Sequence, residues 1–203
     1  MEQEYVYHAS KTRNLKSIRP NISTHNKVWV YAAKTFAFSS VFLGKNNDFI
    51  CQSGISNGCP FIYERFEGAL DYAYKSVKGS IYKLSARDFV EGKTQCSGEV
   101  VSEFSAEVVE ELFVGDSLEN ILNLEKQEKI IIYRYPNRPS HAPADKIDII
   151  EKAIKWTIEK GDEILNQIEQ YHPDVLEKVI QELIDKGYKP TSERWNGKLK
   201  LVS

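Results

Sequence analysis

Val28-Trp29-Val30-Tyr31-Ala32-Ala33-Lys34-Thr35-Phe36-Ala37-Phe38-Ser39-Ser40-Val41-Phe42-Leu43-Gly44 changes periodicity halfway along. Residues 28–33 alternate and are β-branched or aromatic, which predicts a strand. The chain then turns at Lys34-Thr35. Thr35 suits the N-cap of a short helix carrying Phe36, Ser39, Ser40 and Phe42, and Gly44 suits its stop. A tyrosine near a strand end, followed at once by a helix, is well placed to hold a flat ring. The strand fixes its Cα, and the helix start offers free N–H groups. Upstream stands Tyr7-His8-Ala9-Ser10, a second short strand ending in polar groups. The functional question is whether His8 and Tyr31 meet across one cleft.

The 203 residues suffice for one sizeable core, or one domain with an appendage. A formal net charge of −2 offers no broad basic field for duplex nucleic acid. No apolar run approaches the roughly 20 residues of a membrane span, so no membrane partner is expected. The opening Met-Glu-Gln-Glu has the wrong sign for a signal peptide, and a cytoplasmic location is expected. Cys51, Cys59 and Cys96 are odd in number and lack metal-ligand spacing. They read as free thiols, and no metal is expected.

In order, strands are predicted at 5–8, 28–33, 61–66, 79–84, 99–104, 108–114 and 129–135. Short helices are predicted at 36–43, 69–74 and 117–124, the last capped by Asp116 or Ser117. Leu15 and Ile18 could anchor one turn before Pro20. Residues 45–60 read as a long loop. Three prolines between 136 and 143 mark a linker. Beyond it Ile147, Ile150, Ile154, Ile158, Leu165 and Ile168 recur at helical spacing. Trp156 falls outside that stripe and is free to face the first domain. Pro173 suits a first helical position, Val175 to Ile184 form a second stripe, and Gly187 with Pro190 ends it. This predicts two long helices joined around 170–172, an αα-hairpin. The expected domains are 1–136, a linker at 137–144, and a hairpin with tail at 145–203.

Tyr7-His8-Ala9-Ser10 resembles the His-x-Ser/Thr opening of the ADP-ribosyltransferase superfamily, the fold of diphtheria toxin and the poly(ADP-ribose) polymerases. Val30-Tyr31-Ala32-Ala33, with Ala37 and Ser39-Ser40 behind it, resembles that superfamily's strand tyrosine and short helix. Val101-Ser102-Glu103-Phe104-Ser105 resembles its late-strand glutamate. The three stand in family order within residues 5–135. The resemblance implies an α+β fold: a split β-sandwich with short helices, binding NAD between its sheets, ahead of the C-terminal αα-hairpin. It implies that His8 bonds the adenosine-side ribose and Ser10 the nicotinamide amide. Tyr31 would stack on the nicotinamide, with Ser39 nearby and Tyr72 or Tyr63 flanking. Glu103 would bond the 2′-hydroxyl of the nicotinamide ribose. His25 is either a phosphate contact or a surface histidine.

Two departures stand out. Arginine-directed toxins carry Glu-x-Glu, whereas Val101 stands two before Glu103, which argues against transfer to guanidinium. The helical hairpin matches nothing in the family core and could contact a partner or a second copy. Each residue also has a plainer reading: His8 a surface or satisfied core histidine at a strand end, Tyr31 a packing aromatic, Glu103 one of several solvated acids with Glu99, Glu107, Glu110 and Glu111. The expected reaction is transfer of ADP-ribose from NAD to an unidentified acceptor (protein, nucleic acid or small molecule), with release of nicotinamide. The alternatives are an inactive nucleotide- or protein-binding relative, or an RNA 2′-phosphotransferase-like activity.

Overall fold

The computed structural model describes residues 4–22, 27–45 and 47–202, the last five as backbone only. The chain is α+β. Its strands are β1 (Tyr5–Ser10), β2 (Ser17–Ile18), β3 (Asn21–Ile22), β4 (Val28–Ala33), β5 (Cys51–Ser56), β6 (Cys59–Glu64), β7 (Gly79–Ser85), β8 (Glu99–Ser102), β9 (Ala106–Val114) and β10 (Ile131–Tyr133). Its helices are α1 (Phe36–Val41), α2 (Ala69–Tyr74), α3 (Ser117–Lys126), α4 (Ile147–Lys160), α5 (Glu163–Tyr171), α6 (Pro173–Asp185) and α7 (Glu193–Val202).

Seven strands form an antiparallel sheet in the order β2-β9-β7-β1-β4-β3, with β8 also paired to β4. The two ends of that order, β2 and β3, are joined only by Arg19-Pro20, so the sheet must curl until its ends meet. Strand alternation sorts its side chains. Val6, Val30, Ala32, Tyr82, Leu84 and Val100 fill the inside of the curl. Ala33 joins the other core, in which Ala37, Phe38 and Val41 of α1 pack with Ile62, Tyr74 and Ile121. Thr35 caps α1 as expected, its Oγ1 accepting from the Phe38 N–H at 3.1 Å.

The second sheet, β10-β6-β5, closes that core. It replaces the expected loop over residues 45–60. β5 and β6 pair as a hairpin from Cys51 opposite Glu64 to Ser56 opposite Cys59. Their turn is Asn57-Gly58, both at positive φ (51° and 78°), as a two-residue turn of this hand requires. Asn57-Gly58 is a hairpin signal in the sequence, set within a polar stretch that reads as loop.

The expected αα-hairpin is a four-helix unit. Gly161 (φ +93°) interrupts the first stripe between α4 and α5. The adjoining Asp162 carboxylate accepts from the Tyr188 hydroxyl (2.8 Å) and the Ser192 N–H (2.7 Å), tying the chain before α7 to the break. The apolar stripes face one another and close on Phe49 and Trp195. Trp156 packs edge-on against Phe49 (5.3 Å between centroids). Polar contacts join this unit to the strand-rich part. Arg65, 3% exposed, bonds Asp148 at 2.6 Å, Lys152 pairs with Asp48, and His172 Nε2 donates to the Phe49 carbonyl at 2.6 Å. No helix among the described residues is long and apolar enough to cross a membrane.

Candidate functional site

β1 and β4 are neighbours, yet Tyr7 opposite Ala33 is the one register pair between them, whereas β1 pairs with β7 along its whole length. Past that pair the two strands part. A cavity of about 300 Å³ lies there, lined by Tyr7, His8 and Ala9 of β1, residues 29–33 of β4, Ile18, Arg19, Asn21, Phe42 and Glu99. That volume is at the lower end of the roughly 300–1,000 Å³ of small-molecule sites. It can enclose a nucleoside-sized group, with the rest of a longer ligand leaving by the mouth.

His8 Nδ1 lies 2.7 Å from the Tyr31 carbonyl oxygen. A carbonyl only accepts, so Nδ1 carries the proton and the neutral ring presents Nε2 as an acceptor. Burial lowers the His8 pKa below the ordinary histidine value, and the bond to Tyr31 opposes this only in part. The ring is therefore neutral at pH 7. The bond also joins the two strands at the point where their backbone ladder has ended.

Tyr31 and Glu99 share a face of the sheet. Ala33 lies opposite Glu99 and Tyr31 opposite Val101 on β8, so alternation puts both side chains on one side. The Tyr31 ring is braced by Trp29 (6.0 Å between centroids, 56°). Glu99 is positioned by the residue before it. A Cβ on Gly98 would lie 2.7 Å from the Phe38 ring and 2.8 Å from Ile55, while the Gly98 carbonyl accepts from the Lys34 N–H at 2.9 Å. The Glu99 N–H donates to the Cys96 carbonyl (3.1 Å). A glycine thus lets the start of β8 press against α1 and set the carboxylate into the cavity wall.

The structure brings together His8 and Tyr31, but not Glu103. Glu103 is exposed just past the end of β8, in a separate depression with Asp88, Val90, Lys93, Val101 and Phe104. Trp29 lines both hollows and stands between them. The carboxylate that lines the cavity with His8 and Tyr31 is Glu99, four residues earlier at the start of β8.

The remaining predicted residues are dispersed. Ser10 closes β1 and its Oγ accepts from the Thr12 N–H (3.1 Å), outside the cavity lining. Ser39 is fully buried in α1 and donates to the Phe36 carbonyl (3.0 Å). Tyr72 points to the helical unit, its hydroxyl 2.8 Å from that of Tyr171. Tyr63 packs with Phe61 and Ala142 in the second sheet. His25 lies outside the described residues. Among the described residues no group of three or more His, Cys, Asp or Glu is placed to hold a metal ion.

Sequence reasoning did not single out Arg19, Asn21, Trp29 or Phe42. The first two reach the cavity because the link between β2 and β3 crosses from one end of the curled sheet to the other, a closure with no local sequence signal. Compared with protein families, curated proteins and solved structures, the chain matches none.

Proposed function

We propose that this cavity binds NAD and that the protein transfers ADP-ribose from it to an acceptor, with release of nicotinamide. The observation that carries the reading is the convergence of His8, Tyr31 and Glu99, from three neighbouring strands, on one cavity at the point where β1 and β4 part. A curled antiparallel sheet packed through α1 against a second sheet agrees with the split sandwich that the family resemblance implies.

Each group has a role its chemistry suits. The Tyr31 ring, braced by Trp29, offers a face for the flat nicotinamide. His8 Nε2 accepts from a ribose hydroxyl. Glu99 accepts from a hydroxyl of the other ribose. Its charge faces the cation that builds on that ribose as the C1′–N bond breaks and nicotinamide leaves with the electron pair. The acceptor's nucleophile then bonds C1′ and loses its proton, which Glu99, the carboxylate on the cavity wall, can take up. In this reading Glu99 takes the role expected of Glu103.

Nicotinamide release from NAD, with water or a cell lysate supplying the acceptor, tests it. Wild type should release nicotinamide. Glu99→Gln keeps size and one oxygen but removes the charge, and turnover should fall on the order of 10²–10³-fold. Glu103→Gln should stay within about twofold of wild type, as expected for an exposed residue outside the cavity. Loss in Glu103→Gln with none in Glu99→Gln would return the role to Glu103. NAD binding without release would leave a nucleotide-binding module.

A further inference from the structure

We infer that Arg19 is an anion anchor at the mouth of this cavity, and that the site selects ligands carrying a phosphate next to the enclosed nucleoside. The inference rests on the nucleotide reading above. Among the described residues, Arg19 and Glu99 are the basic and acidic side chains on the cavity wall. Arg19 is exposed although it lines the cavity, so it stands at the mouth. Among the described residues its guanidinium makes neither an ion pair nor a hydrogen bond, so none of them competes for it with a ligand.

The segment that presents it is tied down on both sides. The Asn14 N–H donates to the Glu111 carboxylate (3.1 Å) and the Leu15 N–H to the Tyr82 hydroxyl (3.3 Å). The Val108 N–H donates to the Lys16 carbonyl (3.0 Å), and Ser17 pairs with Glu107. Ile18, 5% exposed, is anchored in the core inside the curl. Beyond it Pro20 restricts the chain, and Asn21 pairs with Trp29 of β4. Arg19 therefore projects from a fixed bridge between two sheet ends, not from a free loop. A cavity of about 300 Å³ has room for one nucleoside, and a phosphate on that nucleoside that reaches the mouth would lie beside Arg19. A planar guanidinium is the side chain best suited to grip two phosphate oxygens at once.

Two matched ligand pairs, each differing only by phosphate, test this: nicotinamide mononucleotide against nicotinamide riboside, and ADP against adenosine. Calorimetry on wild type should show the phosphate-bearing member of at least one pair binding roughly tenfold to a hundredfold more tightly, with the gap narrowing as salt rises. Arg19→Gln should abolish the gap and leave nucleoside affinity unchanged. Arg19→Lys should keep part of it, since the charge remains but the fork is lost. A wild type without the gap, or a gap that survives in Arg19→Gln, overturns the inference. The two readings fail separately. An Arg19-dependent preference for ADP in a protein that neither binds nor cleaves NAD sinks the NAD reading and keeps the anchor. NAD cleavage with a KM indifferent to Arg19→Gln does the reverse.

Discussion

Lowering the pH should loosen the seam between the helical unit and the strand-rich part, and His172 sets much of the effect. It is fully buried between α5 and α6, where it caps the latter. Its Nε2 donates to the Phe49 carbonyl, and its buried Nδ1 has no hydrogen-bond partner among the described residues. A proton added at Nδ1 would find no acceptor there. Burial is the main cause that pushes the pKa down, to about 4, with Lys146 and Arg65 adding to it, while the Phe49 carbonyl and Asp174 oppose. In the unfolded chain the ring titrates near 6.5. The unfolded state therefore takes up the proton first, and stability present above about pH 6.5 is lost as pH falls toward 4. At roughly 1.4 kcal/mol per factor of ten in proton affinity, the whole loss is about 3 kcal/mol, of which about 2 kcal/mol falls between pH 8 and pH 5. His172→Gln can keep an N–H near Phe49 but cannot titrate. Urea unfolding of both proteins at pH 8, 6 and 5 should give a pH dependence flatter by about 2 kcal/mol in the variant. Titrations common to both proteins, His8 among them, cancel in that difference. Parallel stability curves would mean that His172 is protonated in the folded seam.

Gly98→Ala should both destabilise the fold and injure the site. Its Cβ would press on Phe38 and Ile55, costing about 1–3 kcal/mol in thermal or urea unfolding, and a Glu99 displaced by about 1 Å should lower turnover on the order of 10²-fold; a variant of wild-type stability and turnover would show that the glycine does not position Glu99. Tyr31→Ala should weaken NAD binding by about 0.5–1.5 kcal/mol for the lost ring contact, measured by calorimetry on protein shown to be folded by circular dichroism; unchanged affinity would remove Tyr31 from the site.

Local chemistry made several parts of this protein legible. The alternation over 28–33 and the Thr35 cap are properties of adjacent residues, and β4 and α1 form where they predict. Asn57-Gly58 was equally legible as a hairpin turn, but it sits among residues whose polarity reads as loop. The helical stripes were visible, whereas the break at Gly161 depends on Asp162 finding partners near Tyr188 and Ser192. A single glycine in a helical pattern does not announce such partners.

The site divides the same way. His8 and Tyr31 were legible because each ends or nearly ends a strand with a side chain too polar or too flat for a simple core. The carboxylate that lines the cavity beside them was not, because Glu99 opens β8 and Glu103 stands just past its end, two acids that look alike locally and differ in what lies across from them. That difference is set by the pairing of β8 with β4, and a register between distant segments is decided by packing, here by Gly98 against Phe38. Arg19 was less visible still. From the sequence it is a charge beside a proline in a polar stretch. It reaches the cavity only because burying Ile18 and pairing Asn21 with Trp29 draw the two ends of one sheet together. The sequence alone therefore determined elements such as β4 and α1, since period, caps and turns act between near neighbours. The tertiary structure alone decided which polar side chains share a cavity, since that follows from how distant segments bury their apolar faces.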